Sequence, residues 1–257
     1  MIGHYSVLIS SSIIIKYAMD KSRITDFIYN RWCNFINRKK EIDSSIFKDL
    51  TYEDEDQEKV LTLGCRENKT PIKVNMNIDS HMLIIGLSNS GKSKLAEQCL
   101  QDKKSITVLN AFKEDFQTLQ ADFINGNENI LQYLISCLNG RTIYSETHYV
   151  LIDELLVLMK DKKIEKALSD LLAIARHFNV YIIAISQEGT KEVLKCKNLF
   201  NVRVCMKLLE ESSIRAVLGC SVPVDDRMLK QREFYVVDNQ GLRRGESYDM
   251  NADQLQC

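Results

Sequence analysis

Between Met82 and Ser93 an apolar run, Met82-Leu83-Ile84-Ile85, breaks into Gly86-Leu87-Ser88-Asn89-Ser90-Gly91-Lys92-Ser93, a glycine-bounded turn closed by lysine and serine. The pattern G-x-x-x-x-G-K-[ST] suits one task, holding the phosphates of a nucleoside triphosphate such as ATP. Gly86 and Gly91 let the backbone bend so that successive N–H groups, from Ser88, Asn89 and Ser90 through Lys94, point into one concavity. A helix starting near Lys92 adds its positive end. Lys92 reaches the β- and γ-phosphates as a point charge, and the Ser93 hydroxyl is placed to ligate Mg²⁺. The context agrees, since a hydrophobic strand precedes the turn and a good helix former, Lys94 to Leu100, follows it.

Hydrolysis needs further groups. Tyr149-Val150-Leu151-Ile152 reads as a buried strand ending in Asp153-Glu154. A carboxylate at the end of such a strand is costly unless something pairs with it, and Mg²⁺ would do so, which makes Asp153 the metal-side carboxylate. Glu154, one residue on and facing differently, is the candidate to polarise the attacking water. Val180-Tyr181-Ile182-Ile183-Ala184-Ile185 is another buried strand, closed by Ser186-Gln187. Gln187 there either senses the γ-phosphate and orients water or is an ordinary loop residue. Arg176 and His177 end the preceding amphipathic segment, 163–178, where a basic residue commonly satisfies terminal carbonyls.

These groups need an alternating α/β frame, and the pattern from Val60 onward supplies one. A hairpin-like lead-in spans Leu61 to Val74 around Glu67-Asn68-Lys69. A second strand covers Ser105 to Leu109, with Asn110 and Lys113 just past its carboxyl end, where ligands collect in open parallel sheets. Helical segments are expected at Phe116–Phe123 and Ile130–Leu138, a strand at Val202–Met206, a short helix at Ser212–Leu218, and a last strand at Glu233–Val237 before a polar tail. The expected organisation is an N-terminal appendage over 1–58, an ATPase domain over 59–246 and a tail over 247–257.

The 257 residues carry a net charge of −1, so no whole-molecule basic field draws in nucleic acid, and any DNA contact needs locally clustered Lys and Arg. Hydrophobic content of 45% with 27% charged residues is that of a soluble globular protein. The eight cysteines form no C-x-x-C pair and read as reduced, mostly buried thiols of a cytoplasmic protein, without support for a metal site. Val7–Ile15 is apolar but ends at Lys16, short of the roughly 18 residues a spanning helix needs. It fits a docking segment, with weak peripheral contact to a membrane as the lesser reading. Lys16–Lys40 mixes basic residues with aromatics, read as an amphipathic helix or as a DNA contact. The acidic patch at Glu53–Glu58 reads as a solvated linker.

Taken together, Ser80-His81-Met82-Leu83-Ile84-Ile85-Gly86 with its loop, Ile152-Asp153-Glu154, the run Ile174 to Gln187, Arg203 and Ser213-Ile214-Arg215 resemble the FtsK/SpoIIIE DNA translocases of the FtsK–HerA group. The resemblance covers roughly residues 60–237. It implies a RecA-like α/β P-loop NTPase with a mainly parallel sheet and a small helical appendage, forming a homo-oligomeric ring, expected to be hexameric, that moves double-stranded DNA. By resemblance Lys92 and Ser93 are the Walker A pair, Asp153 and Glu154 the Walker B pair and Gln187 the sensor. Arg176 matches the arginine supplied to a neighbouring subunit's ATP, and Asn110 and Lys113 fall where conjugative relatives have Asp-x-x-Lys. Asn89 replaces a usual loop glycine, which Asn's tolerance of left-handed angles permits. The late Gly-x-Gly-Asp-Met segment is absent, with Gln231-Arg232-Glu233-Phe234 in its place. No multi-span membrane region and no room for a winged-helix DNA reader are seen. These departures favour a compact motor of a mobile element, plasmid or phage, acting with transfer machinery or, alternatively, packaging a viral genome. A further alternative is an ATP-dependent switch or assembly factor that does not translocate. Lys191, Lys195 and Lys197 are the guess for DNA contacts, a solvated helix face being the other reading.

Overall fold

The computed structural model describes residues 56–187, 189, 195–208, 210–222 and 229–249. Expectations for Val7–Ile15, Lys16–Lys40, Glu53–Glu55 and Lys191 lie outside these residues. The described part opens with the antiparallel pair β1 (Val60–Cys65) and β2 (Pro71–Asn75), turning at Lys69 with φ 65°. Then come β3 (Met82–Ile85), α1 (Lys92–Leu100), β4 (Ile106–Leu109), β5 (Asp122–Ile124), α2 (Asn127–Ser136) and β6 (His148–Ile152). The short α3 (Leu155–Leu158), α4 (Lys162–Ile174), β7 (Val180–Ser186) and β8 (Val202–Cys205) follow. The last elements are α5 (Glu211–Leu218), β9 (Glu233–Asp238) and β10 (Gly241–Glu246).

The ten strands among the described residues join one sheet in the order β2-β1-β10-β9-β8-β3-β7-β6-β4-β5. From β8 to β5 the neighbours are parallel, and from β2 to β8 they are antiparallel. The central strands are continuous apolar runs because both faces are covered. Leu83 and Ile85 of β3 point into a core with α2, α4 and α5, while Met82 and Ile84 point into the other with α1 and β1–β2. That alternation is the period of two that a strand imposes. Three strands in parallel, β3, β7 and β6, therefore deliver their carboxyl ends to one edge of the sheet.

Three expectations need correction. Phe116–Phe123 is not a helix: a 3₁₀ turn at Lys113–Asp115 leads into irregular chain and then the edge strand β5. The buried Phe116 and Leu119 mimic helical spacing, but they pack singly into the core beside α1. The last strand is β10, not β9; its Arg-Arg centre gives no strand signal because Arg243 is buried against Asp238 and the Lys73 carbonyl. Asp56 and Glu58 are not free linker, since Tyr149 donates to the Glu58 carbonyl at 2.6 Å and Lys103 donates to the Gln57 and Val60 carbonyls. At the other end, Ser247 and Tyr248 still bond the domain, Ser247 N–H to the Arg232 carbonyl and Tyr248 N–H to Gln98. Six of the cysteines are described and all are free thiols. Among the described residues no helix is long and apolar enough to cross a membrane, and no cluster of His, Cys, Asp and Glu could hold a metal by itself.

Candidate nucleotide-binding site

The loop from Gly86 to Gly91 hangs between β3 and α1 and is tied on three sides. Gly86 N–H donates to the Ser186 carbonyl of β7, Leu87 N–H to the Lys207 carbonyl after β8, and Arg232 N–H to the Ser90 carbonyl. Gly86 has no room for a side chain, because a Cβ would lie 2.8 Å from both the Met206 Cβ and the Ser90 Oγ. Asn89 sits at φ 61° and Gly91 at φ 106°, so the sharp reversal is made by an asparagine and a glycine, the residues that tolerate it. Ser88 and Asn89 are exposed, whereas Ser90 is buried with its hydroxyl unpartnered.

Lys92 opens α1 and is buried, its Nζ donating to the Leu87 carbonyl at 2.8 Å across the loop. Burial pushes this ammonium below its ordinary range, and the negative charges of Glu154 and Asp153 pull it back up. Asp153 follows β6, with its N–H on the Leu109 carbonyl and its carbonyl bonded by Asn110 Nδ2 at 2.9 Å. Its carboxyl is pushed up to about 6, first by burial and then by the negative charge of Glu154 and Asp115, with Lys92 opposing. Glu154 adopts φ 57°, a strained angle for a glutamate, which turns its carboxylate toward β7. There it accepts from Ser186 Oγ at 3.4 Å and from the Gln187 N–H at 3.5 Å. Gln187 itself is exposed at the carboxyl end of β7.

The structure thus brings Gly86 through Ser93, Asp153, Glu154 and Gln187 to one edge. The Lys94 ammonium turns away from the loop to Glu97 at 2.7 Å, which leaves its backbone N–H in the first turn of α1 as its part in the loop, and Glu97, fully buried, accepts from both the N–H and the hydroxyl of Thr118. Arg176 lies elsewhere. It is exposed in the 3₁₀ turn Ala175–Phe178 that precedes β7, at the amino end of a strand whose carboxyl end touches the loop. Seven strand residues at about 3.3 Å each separate the two, about 20 Å and beyond an arginine's reach. Lys197 Nζ donates to the Ala216 carbonyl of α5 at 2.6 Å, while Lys195 is exposed.

One residue against the loop and one at the far end of β3 complete the frame, and neither was assigned a role from sequence. Arg232, at φ 70°, stands against the loop, with its guanidinium held by Glu246 at 2.8 Å and Asp249 at 2.6 Å. His81 sits below β3, accepting the Ile182 N–H on Nδ1 at 3.0 Å and meeting the Leu172 carbonyl through Nε2 at 3.0 Å. That fixes the proton on Nε2 and ties the end of α4 to β7.

A buried hydroxyl without a partner, a buried lysine folded across the loop and a carboxyl pushed up by burial and by its negative neighbours form a set that a triphosphate and a divalent cation would satisfy. The fold is that of the P-loop ATPases. It matches the pCW3 conjugation coupling protein TcpA, solved in monomer form with ATPγS, at a TM-score of 0.61 and 18% identity, over 76% of this chain and 67% of that one. It also matches the cytoplasmic domain of the Thermomonospora curvata type VII secretion ATPase EccC, at 0.59 and 15% identity over 74% of this chain. B204, the DNA-packaging ATPase of Sulfolobus turreted icosahedral virus, matches at 0.52 and 17% identity over 68% of this chain and 100% of its own. The chain spans only 26% of the EccC domain. No family model and no curated protein matches the sequence.

Proposed function

We propose that this chain is an ATPase that works as a ring of copies and moves double-stranded DNA, in conjugative transfer or, as the nearest alternative, in genome packaging. The observation that carries the reading is the split between the two ends of the sheet. Lys92, Asp153, Glu154 and Gln187 converge at one end, and Arg176 stands exposed at the other. In this reading the loop amides and Lys92 bind the phosphates, and Ser93 and Asp153 hold the metal. Mg²⁺, when bound, supplies charge neutralisation on the phosphate oxygens. Glu154, aimed by its strained backbone and by the Ser186 and Gln187 donors, takes the proton of the attacking water. Arg176 completes the site of the adjoining copy, which makes hydrolysis depend on assembly. The acting assembly is a hexamer by resemblance.

TcpA is a conjugation coupling protein and B204 a DNA-packaging ATPase, which supports DNA as the load. The same fold also serves a secretion ATPase, so DNA dependence decides the matter. With long duplex DNA the ATPase rate of the full chain rises, and that stimulation falls steeply between 50 and 200 mM salt, roughly the range over which phosphate contacts are lost. A rate indifferent to DNA favours the switch or assembly-factor reading. Loss of turnover in Lys92→Ala ties the activity to this site.

A further inference from the structure

We propose that Arg232 is a nucleotide-binding residue of this chain's own phosphate loop, its guanidinium gripping the α- and β-phosphates in competition with Glu246 and Asp249. This rests on the ATPase reading above, in that the phosphates it meets are those of the nucleotide held by the loop.

The backbone of Arg232 is fixed to the loop. Its N–H donates to the Ser90 carbonyl at 3.1 Å, and its carbonyl accepts the Ser247 N–H at 3.0 Å, so the residue bridges the loop and the chain just past β10. At φ 70° it stands in the left-handed region, where a glycine would be unstrained and an arginine is not. Strain kept where glycine would serve points to a use for the side chain. That side chain sets out across the loop itself: a Cβ on Gly91 would lie 3.7 Å from both the Cα and the Cγ of Arg232. Gly91 opens the run of amides through Lys94 that cradles the α- and β-phosphates in this motif. An arginine carries its guanidinium carbon five bonds out, roughly 6 Å from its Cα, so phosphates on those amides lie within its sweep.

The carboxylates that hold the guanidinium hold it weakly. Asp249 takes one terminal nitrogen at 2.6 Å and Glu246 the other at 2.8 Å, with the two acidic side chains 47% and 51% exposed. Ion pairs so open to water contribute little, and each carboxylate receives a single nitrogen, whereas one phosphate accepts the whole fork in parallel. The charge around the loop also calls for a further cation. Lys92 is set against Asp153 and Glu154 on one flank, Lys113 lies beside Glu114 and Asp115 beyond β4, and Lys94 is taken by Glu97. Glu246 and Asp249 are negative on the other flank, where Lys207 is exposed after β8 and Arg232 alone of the two has its side chain shown lying on a loop glycine. A nucleotide with several negative charges is therefore met by Lys92 from one side and by Arg232 from the other.

The test is calorimetric titration of ADP and of ATPγS, each with Mg²⁺, into the full chain. Arg232→Gly keeps both backbone bonds, because glycine accepts φ 70°, and it weakens the two nucleotides alike, by about tenfold, since the contact is to the phosphates they share. The double variant Glu246→Gln with Asp249→Asn then separates three roles for the arginine. A guanidinium freed from its carboxylates grips phosphate more tightly, so Arg232→Gly costs several-fold more affinity in that background than in wild type. A residue that only braces the loop against the end of β10 has already lost its brace there, and Arg232→Gly changes nothing further. A charge acting through space without contact gives the same fold-loss in both backgrounds. Either of the last two results overturns the inference, as does wild-type affinity in Arg232→Gly or a loss with ATPγS alone. A wild type that binds neither nucleotide overturns the ATPase reading and this residue's part with it, whereas tight binding that ignores Arg232→Gly removes the arginine and leaves that reading standing.

Discussion

The buried histidines make the stability of this domain depend on pH in a way that can be worked out residue by residue. Burial pushes His81 down to about 4, with the Leu172 carbonyl opposing and the Arg176 charge assisting. His148, held between Ser105 Oγ at 2.7 Å and Tyr133 OH at 2.8 Å, is likewise pushed down to about 4, by burial and then by Arg141. Both are neutral in the folded chain, whereas in the unfolded chain each protonates near 6.5. The unfolded state therefore binds the extra protons, and stability that is complete above about pH 6.5 is lost as pH falls toward 4. At about 1.4 kcal/mol per pH unit, each ring accounts for about 3 kcal/mol over that window and about 2 kcal/mol between pH 6.5 and 5. Urea unfolding of the full chain between pH 7.5 and 4.5 measures the slope. His81→Gln costs about 1–3 kcal/mol at pH 7.5, because either the Ile182 N–H or the Leu172 carbonyl loses its partner. Below pH 6.5 its slope falls short of that of wild type by about 1.4 kcal/mol per pH unit, the part that His81 contributes; His148 keeps its own contribution, and Asp153, raised to about 6, opposes both histidines below that pH. An unchanged slope in His81→Gln would show that the ring takes its proton without unfolding, and the buried clamp joining α4 to β7 would be refuted.

Other substitutions read the site and the frame separately. Glu154→Gln lowers the ATPase rate by about 10²–10⁴ while leaving ATP binding near wild type, measured by single-turnover hydrolysis beside equilibrium titration. Gly86→Ala forces a methyl group into the Met206 and Ser90 side chains, so nucleotide affinity falls by at least about tenfold, with a smaller loss of stability of about 1–3 kcal/mol. Asp238→Ala strips the partner from the buried Arg243 and costs about 3–5 kcal/mol in urea unfolding, far from the loop and without a specific effect on ATP affinity in the folded fraction.

What could be read from sequence was local, and what could not depended on distant partners. The phosphate loop was legible because each of its requirements is met within eight consecutive residues, down to Asn89 accepting a left-handed angle. The strands flanking it were legible because burial on both faces makes them unbroken apolar runs. Strand β10 hid its nature: Gly-Leu-Arg-Arg-Gly-Glu is poor strand material until Asp238 and the Lys73 carbonyl, contributed by two other strands, absorb Arg243. Arg232 was visible only as a departure from a family segment, since its place against Ser90 is set by where β9 enters the sheet.

Arg176 belongs to a third kind, in which order along the chain already fixes location. A phosphate loop that follows a strand lies at that strand's carboxyl end, and an arginine that precedes a parallel neighbour lies at the amino end. No rearrangement of side chains brings those ends together across the length of β7. An arginine so placed does not reach the phosphate loop of its own chain, and the proposed function therefore assigns it to the nucleotide of an adjoining copy. This geometry follows from strand order alone.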